Sequence, residues 1–367
     1  MTTEPGGLLA VGSSAPVCEP GAGLSIVRYD ATGALSLRGV RPLDHPSYTA
    51  SDPVRGVLHA VLERDAGRVV SFRFHPRTGL RTPRAVATSG GALPCHLSVH
   101  PSGSHVFAAH YGDGVLSVFR TAADGTIAVT EPVQTVRHPG PAPLDGRLTP
   151  AHAHMAAPSP DGRFVLCTTL GTDRVHVYGF DPLTGRLTEH RSVPLPPGRG
   201  PRHLVFHPSG RYVHVVNELS STLTVCTWDA STGHLEPVAE LSTRPDPSAP
   251  GANYPAAVRI SADGRFLYTS NRGDDTIAVH AVHDHGASLA LLTTVASGGS
   301  WPRDLALSPD QRLLFCANQR SDALAAFHRD PSSGHLTPAG QPLSLTAPTS
   351  VLPIGGASGA GWDRPAG

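Results

Sequence analysis

Lysine is missing from this chain: all 29 basic residues are arginine. That excludes Schiff-base and amine-nucleophile chemistry by a lysine side chain. Net charge is missing too, because 29 acidic residues bring the formal balance to +0, and no segment concentrates arginine. Without a basic face for nucleic acid or an anionic membrane, the expected partner is a small molecule. Cysteine is sparse, with Cys18, Cys95, Cys167, Cys226 and Cys316 scattered and odd in number. Neither a disulfide framework nor CxxC metal spacing fits, and a reducing cytoplasm is the expected compartment. No apolar run approaches membrane-spanning length, and MTTEPGGLLAVGSS lacks a basic stretch ahead of a long apolar core. A soluble, unexported protein is expected.

What the chain has is a repeat. Six stations each carry a Pro-x-His-like approach, an apolar strand, a Pro-x-Gly-like turn, a second apolar strand and a polar cluster. They start near Pro46, Pro94, Ala153, Pro201, Pro255 and Pro302, at offsets of 48, 59, 48, 54 and 47 residues. In the station at Pro201, an alternating stretch over His203 to His207 is followed by a turn at Pro208-Ser209-Gly210. Strands over Tyr212 to Val216, over Thr222 to Trp228 and from Leu235 come next. The turn before the last strand, Asp229 to Gly233, recurs as Asp181 to Gly185 and Asp330 to Gly334. Four strands per unit at this period predict β-propeller blades.

The ends supply a seventh blade. Leu8 to Val11, Leu24 to Tyr29 and Leu35 to Gly39 form three strands that lack an innermost one, and PTSVLPI from Pro348 supplies it. Pairing the two ends closes the ring and removes two open sheet edges. The expectation is one all-β domain over 1–367: a seven-bladed propeller of four-stranded antiparallel blades at about 7–354, an inserted rim loop at 131–152 and a disordered tail at 355–367. The composition leaves monomer and dimer both open.

Adjacent strands of a blade run in opposite directions, so the approach to strand one and the exit from strand two share a face. His96, His154, Arg202, His203 and Arg303 lie at strand-one approaches. His110, Tyr111, Thr169, Asp173, Glu218, Asn271, Arg272 and Gln319 lie at strand-two exits. All are expected around one mouth of the central channel, where histidines, arginines and a single carboxylate suit an anionic substrate and acid/base work. On the opposite face, turn geometry accounts for Asp161, Asp181, Asp263 and Asp330. His207 is expected to pack structurally, and Cys95 and Cys167 to be buried small hydrophobes. Trp301 is expected to pack at the start of its blade. If extended, His152 and His154 would point the same way and could share a metal, although no carboxylate or thiolate cluster accompanies them.

The segments PCHLSVHPSG, GPRHLVFHPSGRYVHVVNEL and LYTSNRG, with the third station's His-x-His-Met and Asp-Gly-Arg-Phe, closely resemble the propeller lactonase family. That family includes bacterial 6-phosphogluconolactonase and fungal carboxymuconate cyclase, and the likeness runs through nearly the whole chain. It implies a metal-independent seven-bladed propeller, with no cofactor, that hydrolyses or forms small acidic lactones. The family's His, Arg, Glu and Arg fall on His154, Arg202, Glu218 and Arg272. His96, His110, Tyr111, Arg147, His203, Asn271 and Gln319 are the candidate substrate contacts.

Hydrolysis of a lactone needs a base for water, donors for the oxyanion and an anchor for the substrate's charge. Glu218 or His154 could take the water proton and the other donate to the leaving alkoxide, with Arg202 and Arg272 holding the anion. The same groups run backwards would form a lactone, so residues alone leave the direction open. 6-Phosphogluconolactone is the expected substrate; a cyclase, a ligand- or protein-binding propeller and a calcium-dependent lactonase are the alternatives. The chain departs from its relatives at His110, where they carry Asn, and at Thr169, where they carry Asp. It also carries Arg147-Leu148 in place of an Arg-Gln pair.

Overall fold

A computed structural model describes residues 6–75, 79–140 and 150–354. Among these residues the strands form seven sheets, each an antiparallel blade. Blade 1 joins the two ends of the chain: Pro348–Ile354 pairs with Gly7–Ser13, followed outward by Leu24–Tyr29 and Leu35–Arg41. The innermost strands of blades 2 to 7 are Tyr48–Asp52, Pro94–Val99, Ala153–Pro158, Pro201–Phe206, Tyr254–Ile260 and Pro302–Leu307. In blade 7 the outermost strand is interrupted, with Leu336–Pro338 and Leu343–Ser344 both pairing with Ala323–Arg329.

Burial explains why the middle strands are so apolar. Blades pack face against face, so a strand such as Phe164–Thr169 is buried along its whole length and needs apolar residues on both sides. The alternation expected over 203–207 is accordingly absent as exposure: Pro201–Phe206 is buried at its start and half-buried at its end. Leu9, Val11 and Val27 pack with Leu313, Phe315 and Val351, closing the ring between blades 7 and 1. Leu24, Ile26 and Ile354 pack with Leu58 and Phe72 of blade 2, closing the other side.

The turns away from the mouth are built as their residue types predict. In blade 4, Ser159 Oγ donates to Asp161 Oδ1 (2.6 Å) and accepts from the Phe164 amide (3.0 Å), while Gly162 supplies a φ of +74°. Gly185, Gly233 and Gly334 each donate an amide to the Asp carbonyl four residues back at 2.8 Å. His207 is structural, its Nε2 lying 3.0 Å from the Gly264 carbonyl of the next blade, and His100 repeats this contact with Gly162 at 2.9 Å.

The 131–152 segment differs from expectation. Gln134–Arg137 is the outermost strand of blade 3, paired with Val115–Arg120, so an inserted loop can begin only after Arg137. His138 does not face the mouth; the ring lies 2.7 Å from the Gly114 carbonyl through Nδ1 and 2.8 Å from Tyr178 Oη through Nε2. Residues 141–149, with Arg147, and the 355–367 tail lie outside the described residues.

Candidate active site

One local device aims the site. At the start of most innermost strands the residue preceding the Pro-position is left-handed: His45 (φ 51°), Leu93 (51°), His152 (52°), Gly200 (61°), Trp301 (65°) and Ala347 (40°). One residue further on, the ladder to strand two skips a position. Pro94 pairs with His110 and His96 with Ala109, leaving Cys95 out. The same bulge leaves out His154 in blade 4, Arg202 in blade 5, Arg303 in blade 7 and Thr349 in blade 1. A bulged residue is unpaired and re-aimed, so five of the seven blades each lay one such side chain in a ring around the axis. Neighbours in it touch. Thr349 Oγ1 donates to the Ser47 carbonyl (2.8 Å), Cys95 Sγ lies 3.6 Å from the His154 carbonyl, and Arg202 Nη1 donates to the Ala256 carbonyl (2.7 Å).

Across this ring stands Glu218, immediately after strand two of blade 5. Its amide donates to the Gly200 carbonyl at 2.8 Å, and the Gly200 amide is held by Asp173 Oδ1 at 2.6 Å. Gly200 takes the left-handed φ (61°) without strain, and a Cβ there would meet Leu219 Cγ at 2.5 Å. Glu218 Oε2 is shared by two guanidinium groups, 3.0 Å from Arg202 Nε and 2.7 Å from Arg272 Nη2. Both arginines are buried, at 2 % and 5 % exposure. Each is further fixed by a carbonyl: Ala256 for Arg202 and Tyr254, at 2.9 Å from Nε, for Arg272. Trp301 backs Arg272, its ring lying 5.4 Å from that guanidinium and 3.4 Å from that of Arg320. Arg202 Nη2, Arg272 Nη1 and Glu218 Oε1 have no hydrogen-bond partner among the described residues, so the clamp keeps two donors and one acceptor in hand.

The electrostatics follow from burial and like charge. Burial, then Arg202, Arg303 and Arg272, holds the His154 imidazole well below the ordinary histidine range, so it is neutral at pH 7. Its Nδ1 lies 3.9 Å from Cys95 Sγ. Arg202 itself is pushed down to about 9, by burial first and the Arg272 charge second, with Glu218 opposing. Beneath the mouth the rings of His154 and His203 are 5.3 Å apart, His203 and His96 5.4 Å, and His96 and Tyr48 4.5 Å. Below them Arg259 pairs with Asp304 at 2.7 Å.

A family model described as "Lactonase, 7-bladed beta-propeller" matches residues 9–353. The chain belongs to this family. The propeller lactonase is 31 % identical to the 6-phosphogluconolactonase of Bacillus subtilis over 310 residues, 84 % of this chain and 87 % of that one. It superposes on the periplasmic gluconolactonase of Pseudomonas aeruginosa with a TM-score of 0.88 at 30 % identity, covering 96 % of this chain and 99 % of the other. A Lactobacillus plantarum protein gives 0.85 at 30 % identity, over 96 % and 100 % of the two chains.

The structure of this lactonase brings together His154, Arg202, Glu218 and Arg272, with His203 and His96 directly below. Tyr111 lines the same mouth, stacked on His152 at 4.2 Å and edge-on to His154 at 5.9 Å. Gln319 bridges blades 7 and 1 through Ser14 Oγ at 2.8 Å. Two of the expected substrate contacts are not brought there. His110 is fully buried with Nδ1 2.9 Å from the Val115 carbonyl, and Asn271 is fully buried, donating to the Thr243 carbonyl at 3.0 Å. Thr169, also buried, is spent on Thr172 Oγ1 at 2.5 Å. All three lie at the end of strand two of their blades, with their polar atoms bonded to protein groups: His110 and Thr169 across the loop to strand three, and Asn271 to the Thr243 carbonyl of the preceding blade. His152 and His154 do not share a face, because the left-handed His152 turns its Nδ1 to the Tyr111 carbonyl at 2.7 Å. Among the described residues no group of three or more His, Cys, Asp or Glu is gathered as a metal site. Sequence reasoning missed Tyr48, Arg259 and Asp304 inside the channel and the place of Cys95 beside His154. Aligning the six stations on their Pro-position would have shown that the next residue is the one aimed inward.

Proposed function

We propose that this chain hydrolyses a small acidic sugar lactone, with 6-phosphogluconolactone as the best candidate. The observation that carries the proposal is the Arg202–Glu218–Arg272 clamp beside a buried neutral histidine. The relative from Bacillus subtilis is a 6-phosphogluconolactonase, which supports this choice of substrate. The free thiol of exposed Cys18 and four buried free cysteines support the cytoplasm as its place.

The residues divide the reaction between them. His154, neutral at working pH, accepts a proton from water as the water oxygen bonds to the lactone carbonyl carbon. Charge moves to the carbonyl oxygen, where Arg202 Nη2 and Arg272 Nη1 are free to donate. Glu218 sets the angle and spacing of those guanidinium groups and offers Oε1 to the attacking water. As the tetrahedral intermediate collapses, the ring C–O bond breaks and the His154 imidazolium returns its proton to the leaving alkoxide. The product is the open hydroxy acid, which ionises in water. In this reading His154 is the base and Glu218 the group that holds the two arginines.

Purified protein is to be mixed with freshly made 6-phosphogluconolactone and acid release followed. The expected result is hydrolysis well above the spontaneous rate. A folded sample that gives no acceleration with this lactone or with gluconolactone would overturn the proposal.

A further inference from the structure

Three arginines surround the mouth on or beside the bulge ring, and two of them are already committed to one carboxylate. Arg202 and Arg272 share Glu218 Oε2 and each donates to a backbone carbonyl. Arg303 is different. It is the bulged residue of blade 7, skipped between the pairs Pro302–Asn318 and Asp304–Ala317, and so occupies the position that His154 and Arg202 hold in their blades. It is half-buried rather than solvent-bathed. Yet among the described residues it has no hydrogen-bond partner and no carboxylate within ion-pair distance.

None of the nearby acids pairs with it. Asp304, the next residue, gives Oδ1 to Arg259 at 2.7 Å and Oδ2 to the Val351 amide at 3.0 Å. Glu218 is taken by the other two arginines, and Glu63, at the equivalent exit of blade 2, forms no ion pair among the described residues. Where bulge residues of other blades bond to the backbone of the next blade, as Thr349 and Arg202 do, Arg303 makes no such bond to blade 1. Its charge is nonetheless felt at His154, Arg202 and Arg272, all of which it disfavours in the protonated form. Three guanidinium groups against the carboxylates of Glu218 and Glu63 leave the mouth with excess positive charge, and the arginine with no carboxylate in ion-pair reach is Arg303.

We propose that Arg303 is the anion anchor of the site: its guanidinium receives the phosphate or carboxylate substituent of the lactone, leaving Arg202 and Arg272 to serve the reacting carbonyl. The inference rests on the lactonase reading and reassigns the role that sequence reasoning gave to Arg202 and Arg272. A planar guanidinium with no protein partner is suited to bidentate capture of such a group. A half-buried setting strengthens the contact relative to water while leaving a path for the ligand.

The test separates anchoring from chemistry. Binding of 6-phosphogluconate, glucarate and gluconate is measured by titration calorimetry on the intact protein, for the wild type, Arg303→Gln and Arg303→Lys. At C6 the first two ligands carry a phosphate ester and a carboxylate where gluconate carries a hydroxymethyl group, so the preferred one identifies the substituent. The wild type is expected to hold one of those two dianionic or more highly charged ligands about 10- to 100-fold more tightly than gluconate. Arg303→Gln should abolish that preference with gluconate binding unchanged, and Arg303→Lys should recover part of it. In turnover, Arg303→Gln should raise KM for the phosphorylated lactone about tenfold or more while leaving kcat within about threefold. A wild type with no preference, a preference that survives Arg303→Gln, or an equal loss for gluconate and for the two ligands with a second anionic group overturns the anchor. Absence of lactone hydrolysis by the wild type instead overturns the catalytic reading, and the calorimetric preference still decides the role of Arg303.

Discussion

Lowering the pH from 7.5 to 5 should destabilise this propeller through histidines that its blades bury uncharged. His59, His214 and His280 have no exposed surface. Burial, the largest cause in each case, pushes them down to about 4, 3 and 4, respectively. An unfolded chain returns each to about 6.5. Between the two values the unfolded chain takes up protons that the native one refuses. The stabilisation is therefore complete above about pH 6.5 and is lost progressively as pH falls toward 4. At pH 5 each group accounts for about 2 kcal/mol, and the three together for on the order of 6 kcal/mol. A domain typically has about 5–15 kcal/mol in all, so the loss should bring it close to unfolding. Urea unfolding followed by circular dichroism at both pH values measures the effect as a fall in midpoint. Neither ring nitrogen of His214 has a partner, so His214→Leu leaves no polar group unmet there. That variant should lose about 2 kcal/mol less than the wild type over the same pH interval. An unchanged midpoint between pH 7.5 and 5 would refute the reasoning.

Other expectations concern the site. Because burial and the charges of Arg202, Arg303 and Arg272 keep His154 neutral, the acid limb of kcat/KM should lie well below pH 6.5; a limb at 6.5 or above contradicts His154 as the base. Asp173→Ala frees the amides of Gly198 and Gly200, which it holds at 2.8 and 2.6 Å. It should cost about 1–3 kcal/mol of stability and slow turnover through the displaced Glu218, as seen by thermal melting and initial rates. Arg272→Lys keeps the charge but cannot serve both Tyr254 and Glu218, and kcat should fall about tenfold or more with the melting temperature little changed.

Much of the fold was legible because propeller turns are written in residue types. The Ser-Asp-Gly and Asp-x-x-x-Gly turns, the strand lengths around Pro201 and the closure of Gly7–Ser13 by Pro348–Ile354 all follow from turn chemistry and from the avoidance of open edges. The sides of the sheet were not legible, since strands buried on both faces carry no alternation to read. The candidate site was legible as far as the gathering of His154, Arg202, Glu218 and Arg272 at one end of the channel. What a linear reading lacked was the bulge: a residue skipped in the ladder faces the axis, whereas its neighbour at the end of strand two faces the blade. That difference sends Arg202 inward and spends Asn271 on the Thr243 carbonyl. Gln134–Arg137 was absorbed into a supposed loop because four residues of half-exposed strand carry no clear period.

In the proposed reaction, lactone hydrolysis runs on the Arg202–Glu218–Arg272 clamp and His154. The most direct measurement is kcat/KM for 6-phosphogluconolactone in the wild type, Glu218→Gln and His154→Ala, each first shown to be folded by circular dichroism. A general base is typically worth about 10²–10⁴-fold. The expected result is a loss in that range for His154→Ala and of at least about 10²-fold for Glu218→Gln, whose amide cannot hold both guanidinium groups. Folded variants that hydrolyse the lactone as fast as the wild type would contradict it.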